Sequence, residues 1–478
     1  MPSTKRKGLL VMKFGGTSIG SISALRQSAQ IVANSAREWR HVVVVVSAMA
    51  GITDALLAAA AAAEKCDEPA AAATIDGIQD RHLETIAGLI EAGSRRDALE
   101  SQVRQFVQEL RAYSHSIQVM GEVTPRGMDT IASLGERMNA RVFSALLDQI
   151  GVPGQAVDAA GLIVTDDNFG NAAPLLNLTR ERVGSILLPL LKQGVTPVVT
   201  GFCGATENGI TTTLGRGGSD YTASILGDCL DAQEVWTWTD VDGVMTADPR
   251  VVPAARVIPE LSYSEVGEMA YFGAKVLHPK TIRPIIERGI PLWVKNTFSP
   301  DFPGTRISNR YQRPRGTLTA ITTIRDLSIV NVEGRGMLGV PGIAARTFSA
   351  VARQGASVLM ISQSSSEQSI CFVIPTAGAA QVIRSIEDEV ALELLRGDID
   401  KVWARGKIVI VTVIGSGMRE TPGVSARIFG ALGKAGINVI AIAQGSSEFS
   451  ISLVVSANDA NQAVRAIHAE VIENDSAV

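Results

Sequence analysis

The first 300 residues alternate between short apolar runs and longer stretches with helical spacing of apolar positions. Runs rich in valine and isoleucine occur at 42–46, 196–199, 234–238 and 290–294. Apolar runs without polar alternation are typical of strands that are covered on both faces, and long helical connections are what parallel strands require. The pattern predicts an α/β domain over residues 1–300, with a mostly parallel sheet between layers of helices.

Two stretches of the chain differ from this alternating pattern. Residues 54–115 have a helical pattern that includes the alanine run 58–63, and alanine favours helix strongly. We interpret this stretch as a helical insertion. Prolines and glycines then cluster between 300 and 316, and they predict a linker, placed at 301–325.

An internal repeat follows the linker. Met337 recurs as Met418 and Gln363 as Gln444, each at an offset of 81 residues (from 337 to 418) and without a gap. Each copy has the pattern of a strand, a turn, a helix and a hairpin. A period this long indicates a duplicated small α+β domain rather than a solenoid. We place the first copy at 326–405 and the second at 406–478.

Composition narrows the class of protein. The chain has 478 residues, 46% of them hydrophobic, and a net charge of −4, which argues against a general nucleic-acid partner. Four scattered cysteines without close pairing indicate reduced thiols, and the five histidines have no metal-ligand spacing. We find no apolar stretch long enough for a membrane span and no signal-peptide core at the N-terminus. The expected location is therefore cytoplasmic, with no membrane partner.

The first candidate site residues follow directly after the first apolar run, at 9–12. Lys13, Gly15 and Gly16 follow it, and a helical pattern comes next. Glycines let backbone N–H groups approach an anion closely, and a lysine adds a mobile positive charge. The order of residues matches neither a Walker A loop nor the dinucleotide fingerprint. Taken alone, a simple β-turn before a helix explains this segment equally well.

Three later segments favour a ligand-binding loop over a simple turn. A second glycine-rich loop with small hydroxyls occupies 211–220, a third segment runs from 238 to 250, and a fourth occupies 272–279. Loops that combine cations with small hydroxyls suit a ligand with several phosphates. Each could be a turn by itself, but all of them together, in this order, are hard to explain as turns.

The segments resemble those of the aspartate kinases in the amino acid kinase family, in the family's own order. The matching segments are KFGGTS (13–18), VVVSAMAGIT (44–53), SLGERMNA (133–140), TTTLGRGGSDYTA (211–223), WTDVDGV (238–244), TADPR (246–250) and FGAKVLHP (272–279). The duplicated region resembles the ACT domain, a βαββαβ amino-acid sensor. Related aspartate kinases thread one ACT copy into the other, so we expect the extreme C-terminus to complete the first copy.

The resemblance implies a reaction and its ligands. It implies transfer of the γ-phosphoryl group of ATP to the side-chain carboxylate of L-aspartate, with Mg²⁺ bridging phosphate oxygens partly through water. The product would be 4-phospho-L-aspartate, at the first step of lysine, threonine and methionine biosynthesis. A carboxylate is already ionised at neutral pH, so the chemistry needs no general base.

The resemblance also implies which residues form the site. Lys13 and Asp220 would be catalytic, with Asp220 orienting Lys13. Substrate-binding residues would be Thr53, Glu136, Arg216 and Ser219. The ATP side would consist of Lys13, Gly15, Gly16, Thr239, Asp240, Met245, Arg250, Lys275 and Val276. Met245 stands where the family commonly has a tyrosine near the adenine. Without the family match, Glu136 would be interpreted as a solvated charge on a helix.

Regulation and assembly follow from the same resemblance. The hairpins that carry Gln363 and Gln444 resemble those of threonine-sensitive aspartate kinases, so L-threonine is the expected feedback inhibitor and lysine the alternative. An ACT pair without a ligand would serve only for assembly. We expect a homodimer, or a higher homo-oligomer, held at least partly by ACT contacts.

Two other functions compete with this one. The first is a different amino acid kinase, such as acetylglutamate kinase or glutamate 5-kinase, and the second is a non-catalytic sensor built on a kinase fold. No residues follow the second copy for a third catalytic domain, so we do not expect a fused homoserine dehydrogenase.

Overall fold

The computed structural model describes residues 7–473 apart from 275, 276, 278, 310–317, 338–339, 364–367 and 446–448. The chain divides into two compact units. Unit 1 comprises Met1–Val244, Val257–Tyr263 and Val276–Tyr311; unit 2 comprises Met245–Arg256, Ser264–Lys275 and Gln312–Val478.

Seventeen strands are formed by the described residues. They are β1 Lys7–Phe14, β2 Trp39–Val46, β3 Gly154–Val157, β4 Val164–Thr165, β5 Thr196–Thr200, β6 Cys203–Thr206, β7 Thr211–Thr213, β8 Glu234–Thr239, β9 Glu260–Leu261, β10 Leu292–Asn296, β11 Thr305–Ile307, β12 Ala320–Glu333, β13 Met360–Gln363, β14 Ser369–Pro375, β15 Lys401–Ile414, β16 Ala441–Gln444 and β17 Ser450–Ser456.

Fourteen α-helices accompany these strands over the same described ranges. They are α1 Ile22–Glu38, α2 Ile52–Glu64, α3 Glu68–Leu89, α4 Ser94–Met120, α5 Pro125–Gln149, α6 Leu176–Lys192, α7 Gly218–Cys229, α8 Tyr263–Tyr271, α9 Pro279–Arg288, α10 Ile343–Arg353, α11 Ala379–Glu389, α12 Ala391–Arg396, α13 Val424–Lys434 and α14 Ala460–His468. None of the described helices is both long and apolar enough to cross a membrane.

Unit 1 is built on an eight-stranded sheet in the order β3-β5-β2-β1-β8-β10-β11-β9. Strand β1 lies in the middle and pairs in parallel with both β2 and β8. The valines of β2, from Val42 to Val46, are at most 4% exposed, so the prediction of strands covered on both faces is confirmed. The carboxyl ends of β1, β2 and β8 meet at one edge, which is where open α/β sheets bind ligands.

Helices α2, α3 and α4 account for the stretch predicted to be helical at 54–115. Their apolar side chains, such as Ile75 and Val103, belong to the same buried cluster as Phe14 of β1 and Leu134 of α5. The insertion is therefore part of the core of unit 1.

Unit 2 contains a six-stranded antiparallel sheet in the order β13-β14-β12-β15-β17-β16. We call the part over 326–405 copy 1 and the part over 406–473 copy 2. The two 14-residue strands β12 and β15 form the centre and serve both copies. This is the α+β arrangement that the repeat predicts.

The two copies exchange part of a strand. Residues 320–324, placed in the predicted linker, form the first part of β12 and pair with Ile410–Ile414 of copy 2. Val471 and Ile472 pack into the core of copy 2, and the expectation that the extreme C-terminus completes copy 1 stays a prediction. Residues 474–478 lie outside the described ones. The part of β12 that pairs with copy 2 therefore precedes copy 1.

A kink in each central strand explains how one strand serves two copies. Asp326 and Lys407, which correspond in the repeat, have φ values of 60° and 55°. The pairing of β12 with β15 changes register between Ile324 and Leu327. An irregular residue bends a strand and increases its twist locally. The two halves of each strand can therefore belong to different copies.

Candidate active site

A cavity of about 400 Å³ lies at the carboxyl edge of β1 in unit 1, and we call it the edge cavity. Its walls come from the turn after β1, the loop from β2 into α2, helix α5 and the loop that opens α7. Eight of the residues predicted for the site line it: Lys13, Gly15, Gly16, Thr53, Glu136, Arg216, Ser219 and Asp220.

An ion pair joins the two residues predicted to be catalytic. Lys13 Nζ lies 2.8 Å from Asp220 Oδ1, and the two side chains are 10% and 20% exposed. Lys13 belongs to β1 and Asp220 to the first turn of α7, so two rigid elements hold the pair. The hydroxyl of Thr237 adds a longer bond of 3.4 Å to the same carboxylate oxygen. Asp220 therefore positions the ammonium at the cavity.

The glycine turn after β1 is packed closely on both sides. The Gly15 N–H donates to Trp238 O at 3.1 Å, which fixes the turn to the end of β8. A Cβ on Gly16 would lie 3.3 Å from Ala48 O, in the neighbouring loop. Side chains at this turn would crowd the backbone that the ligand has to approach.

Two helices begin at the edge cavity. Gly51 precedes α2 with φ 81°, and Gly217 precedes α7 with φ 72°. The first N–H groups of a helix have no partner inside it, and the helix dipole places positive potential there. Together with Lys13 and Arg216, these helix starts place positive potential at a cavity that Asp54, Glu136 and Asp220 also line.

Glu136 is the most deeply buried of the three acidic residues that line the cavity. It lies on α5, it is 3% exposed, and Oε2 has no hydrogen-bond partner among the described residues. Burial raises the pKa of Glu136 to about 8, although a hydrogen bond from the Ala48 backbone acts in the opposite direction. A buried acid at a polar cavity is stabilised in its charged form by a cationic ligand.

Sequence reasoning missed several polar residues that hold the cavity walls. Asp129 accepts hydrogen bonds from the Thr213 N–H at 2.9 Å and from the Thr213 hydroxyl at 2.7 Å. Asn139 Nδ2 donates to Ser47 O at 2.7 Å, and the Ser47 hydroxyl donates to Ser219 Oγ at 3.0 Å. Asp129 and Asn139 are buried polar residues of α5, and their burial is visible only in the structure.

The residues predicted for the ATP side are not all gathered at the edge cavity. Thr239 ends β8 beside the glycine turn, and its hydroxyl donates to Asp240 Oδ1 at 3.2 Å. Met245 and Arg250 belong to unit 2, where the exposed Arg250 forms a two-bond pair with Asp248. Lys275 and Val276 lie outside the described residues. The structure thus brings together the glycine turn and the predicted aspartate-binding residues.

The two ACT-like copies have corresponding pockets. The copy 1 pocket, about 360 Å³, includes Met337, Gln363 and Ile370. The copy 2 pocket, about 370 Å³, includes Met418, Gln444 and Ile451, which are the same positions in the repeat. Each predicted regulatory glutamine therefore lines a pocket.

Comparison with known proteins establishes the family. The model of the amino acid kinase family matches residues 8–296, and the ACT domain model matches 330–390 and 411–471. Aspartokinase 2 of Arabidopsis thaliana, a chloroplastic protein, is 35% identical over 475 residues, which cover 97% of this chain and 84% of that protein. The chain belongs to the aspartokinases of the amino acid kinase family.

Other aspartokinases agree in sequence and in fold. A bifunctional aspartokinase/homoserine dehydrogenase of Zea mays is 38% identical over 462 residues, but the chain spans only 50% of its length. Escherichia coli aspartokinase III, solved in complex with aspartate and ADP, superposes with a TM-score of 0.80 at 32% identity, over 97% of this chain and 99% of that one. The same enzyme has been solved with lysine and aspartate.

Proposed function

We propose that this aspartokinase transfers the γ-phosphoryl group of ATP to the side-chain carboxylate of L-aspartate, giving 4-phospho-L-aspartate. The observation that carries the proposal is the buried carboxylate of Glu136, whose Oε2 has no hydrogen-bond partner among the described residues, in a cavity that also contains Lys13 and Arg216. An amino acid with two carboxylates and one ammonium is complementary to that distribution of charge. The complex of E. coli aspartokinase III with aspartate and ADP supports the same choice of substrates.

The charged groups of aspartate would bind to different walls of the edge cavity. The guanidinium of Arg216 matches a carboxylate with two parallel hydrogen bonds, which suits the α-carboxylate. Glu136 would accept the ammonium, and Ser219 and Thr53 would offer hydroxyls. The side-chain carboxylate would then be left facing the glycine turn and Lys13.

Catalysis would come from positioning and charge rather than from proton transfer. The attacking carboxylate is already ionised at neutral pH. Its attack on the γ-phosphoryl group is therefore opposed mainly by repulsion from the phosphate charges. Lys13, held by Asp220 at 2.8 Å, would neutralise charge on the transferring group. The remaining ATP contacts, from Thr239, Asp240, Met245, Arg250, Lys275 and Val276, are part of this proposal.

Mg²⁺ would accompany the nucleotide. Among the described residues no cluster of three or more histidine, cysteine or acidic side chains is arranged to hold a metal. Mg²⁺ keeps several waters and takes its other ligands largely from phosphate oxygens. When bound, the ion would shield phosphate charge, while Lys13 and the helix starts do the same from the protein side.

Trapping of the acyl phosphate with hydroxylamine tests the choice of substrate. We expect hydroxamate from ATP and L-aspartate, and little from L-glutamate or N-acetyl-L-glutamate supplied at equal concentration. Product from one of the latter two would make the protein a different amino acid kinase. No hydroxamate from any of the three would favour the non-catalytic sensor.

Feedback inhibition by L-threonine is the second part of the proposal, with lysine as the alternative. Gln363 and Gln444 each line a pocket and offer amide donors and acceptors to a small hydroxy amino acid. The complex of E. coli aspartokinase III with lysine and aspartate supports lysine as the alternative inhibitor. Activity measured against threonine, lysine and methionine, alone and in pairs, decides between them.

The proposal extends to assembly, location and pathway. The end strands β13 and β16 carry Ile361 and Ile442, which are 50% and 45% exposed, and pairing of two copies of the chain would cover them. Four unpaired cysteines suit the reducing cytoplasm. The reaction would then be the first step of lysine, threonine and methionine biosynthesis.

A further inference from the structure

Arg216 reaches the edge cavity from a loop that does not fix its position by itself. Its side chain lines the cavity, and among the described residues it has no ion-pair or hydrogen-bond partner. Arg216 stands between Gly215 and Gly217, whose φ values are 77° and 72°. Glycine restricts the backbone less than any other residue. Contacts between this loop and its neighbours therefore decide where the guanidinium can bind a carboxylate.

Asp129 of α5 holds the chain that leads into this loop. Thr213 ends β7 shortly before Arg216, and its N–H donates to Asp129 Oδ2 at 2.9 Å. The Thr213 hydroxyl donates to Asp129 Oδ1 at 2.7 Å. Because the two bonds involve both oxygens of one carboxylate, they fix the orientation of the end of β7 as well as its position.

The same carboxylate holds the segment that packs against the loop. The Gly170 N–H donates to Asp129 Oδ2 at 2.9 Å. A Cβ on Gly215 would lie 2.8 Å from Asn171 Oδ1 and 3.2 Å from Gly170 O, so this segment and the loop are in close contact. Asn171 Oδ1 also accepts from Lys280 Nζ of α9 at 2.8 Å. Asp129 thus joins α5 to two supports of the loop that carries Arg216.

Asp129 shares its helix with the proposed acceptor of the substrate ammonium. Asp129 and Glu136 are both 3% exposed on α5, two helical turns or about 10 Å apart along the helix axis. Residues seven positions apart face the same side of a helix. One rigid helix therefore carries Glu136 and the group that fixes the loop of Arg216.

The chain that follows the loop is also tied to α5. Asn139, which is fully buried, donates from Nδ2 to Ser47 O at 2.7 Å. The Ser47 hydroxyl donates to Ser219 Oγ at 3.0 Å, and Ser219 belongs to the first turn of α7. Both ends of the loop are therefore referred to the helix that carries Glu136.

We infer that Asp129 is a positioning residue for substrate recognition, which holds the loop of Arg216 where the guanidinium can bind the carboxylate of an α-amino acid whose ammonium is bound by Glu136. The inference rests on the proposed function, because it names what aligns the aspartate-binding groups of the same cavity. Asp129 acts through Thr213 and Gly170. A bidentate pair depends on alignment, so a displacement of about 1 Å in the loop is enough to weaken it.

The test uses the full chain and four single variants. Asp129→Asn removes the charge, and Thr213→Val removes one donor while it keeps the shape and the charge of Asp129. Thr213→Ser restores the hydroxyl. The matched control is Asp228→Asn, at a buried aspartate of α7 that is bound to Arg180 at 2.7 Å and to Arg288 at 2.8 Å and does not line the edge cavity.

Steady-state hydroxamate formation gives KM for aspartate, KM for ATP and kcat. We expect KM for aspartate to rise by about tenfold in Asp129→Asn and by about threefold or more in Thr213→Val, as for the loss of hydrogen bonds to a charged group. KM for ATP should change by less than about twofold in both variants, because the phosphate side does not depend on this loop. Thr213→Ser and Asp228→Asn should keep both KM values of the wild type.

A double variant shows whether Asp129 acts through Arg216. In Arg216→Lys the two parallel hydrogen bonds are already lost. Adding Asp129→Asn should then raise KM for aspartate by less than about twofold more, since two residues that act through one contact are not additive. A merely structural role for Asp129 would give independent, additive effects.

Three results would overturn the inference and leave the proposed reaction intact. They are an unchanged KM for aspartate in Thr213→Val, equal rises in KM for aspartate and for ATP, and additive effects in the double variant. Thr213→Val decides alone if circular dichroism shows that Asp129→Asn does not fold. A wild type that forms no hydroxamate from aspartate contradicts the proposed function, and the inference falls with it.

Discussion

Single side chains define the chemistry of the edge cavity, and Glu136 is the most informative of them. Its burial would cost stability if it stayed ionised without a partner, and this cost is the reason for its raised pKa. Lys13 and Asp220, by contrast, satisfy each other at 2.8 Å. In the proposed function Glu136 suits a cationic group, whereas Lys13 and Arg216 suit anions, and an amino acid beside a phosphate would supply both kinds of charge.

Glu136→Gln should remove a specific pH dependence. Ammonium binding requires the carboxylate, so below its pKa of about 8 the wild type must release a proton when aspartate binds. We expect the affinity for aspartate to rise from pH 6.5 to pH 8.5 in the wild type, and to be weaker but nearly flat in the variant. Calorimetry in two buffers with different ionisation enthalpies measures the released proton.

The same substitution should also change how the free energy of unfolding depends on pH. For the wild type this trend should be opposite to that of its affinity for aspartate. Because folding raises the pKa of Glu136 above its ordinary value of 4.5, the folded protein holds a proton that the unfolded chain releases. The free energy of unfolding should therefore fall for the wild type, relative to Glu136→Gln, as pH rises from 5 through 8. Parallel curves for the two proteins would mean that Glu136 is ionised in the empty site.

Arg216→Lys tests the carboxylate partner. Lysine keeps the charge but cannot form two parallel hydrogen bonds. We expect KM for aspartate to rise by about tenfold or more, as for the loss of one charge-assisted hydrogen bond, with a much smaller change in KM for ATP. Varying each substrate separately gives both values, and equal changes would assign Arg216 to the phosphates instead.

At the scale of elements, strands and helix starts deliver these side chains to one edge. The turn after β1, the start of α2 and the start of α7 all converge there because parallel strands end on the same side. In unit 2, β12 and β15 carry the kinks at Asp326 and Lys407 that let two copies share one sheet. Both kinked residues are exposed, so their cost is mainly backbone strain.

Lys407→Gly should stabilise the protein. Lysine at φ 55° has a steric cost that glycine avoids. The greater freedom of glycine in the unfolded chain offsets part of the gain, so we expect the free energy of unfolding to rise by about 0.5–1 kcal/mol. Asp326→Gly is the matched control, with a smaller expected gain because aspartate tolerates this conformation better. Thermal unfolding of both variants measures the difference, and a lower Tm for Lys407→Gly would contradict a strained kink.

The sequence predicted the elements better than their exchange. The apolar run at 42–46 predicted the buried strand, and the glycines after Lys13 predicted a turn at the end of β1, because local pattern and backbone freedom decide both. The role of residues 320–324 was not predictable, since a short strand in a linker pairs with residues about 90 positions away. Asp129 and Asn139 were missed for a related reason: their partners, Thr213 and Ser47, are distant in sequence.

For the whole molecule, regulation and assembly both involve unit 2. Its sheet ends in the two strands that expose Ile361 and Ile442 on corresponding positions of the repeat. Unit 2 also contains Met245–Arg256 and Ser264–Lys275, the two segments that lead to the predicted ATP contacts. A feedback ligand, a partner subunit and the nucleotide would thus act on one folded body.

Replacing Ile361 and Ile442 together by lysine should weaken the proposed dimer. Charges on exposed end strands oppose pairing, so we expect the mass measured by light scattering to shift toward that of one chain, 50.4 kDa. Val119→Lys, at an apolar residue of unit 1 that is 73% exposed, is the control and should leave the mass unchanged. A dimer that persists in the double variant would place the interface elsewhere.

The central claim is that Lys13 and its cavity transfer phosphate from ATP to aspartate. Phosphorus NMR of the full chain with MgATP and L-aspartate tests it most directly, because an acyl phosphate and ADP have separate resonances from ATP. We predict that the wild type produces an acyl phosphate only when aspartate is present, and that Lys13→Ala, folded by circular dichroism, produces none above background. An acyl phosphate formed by Lys13→Ala at the wild-type rate, or ADP formed by the wild type without any acyl phosphate, would contradict the account.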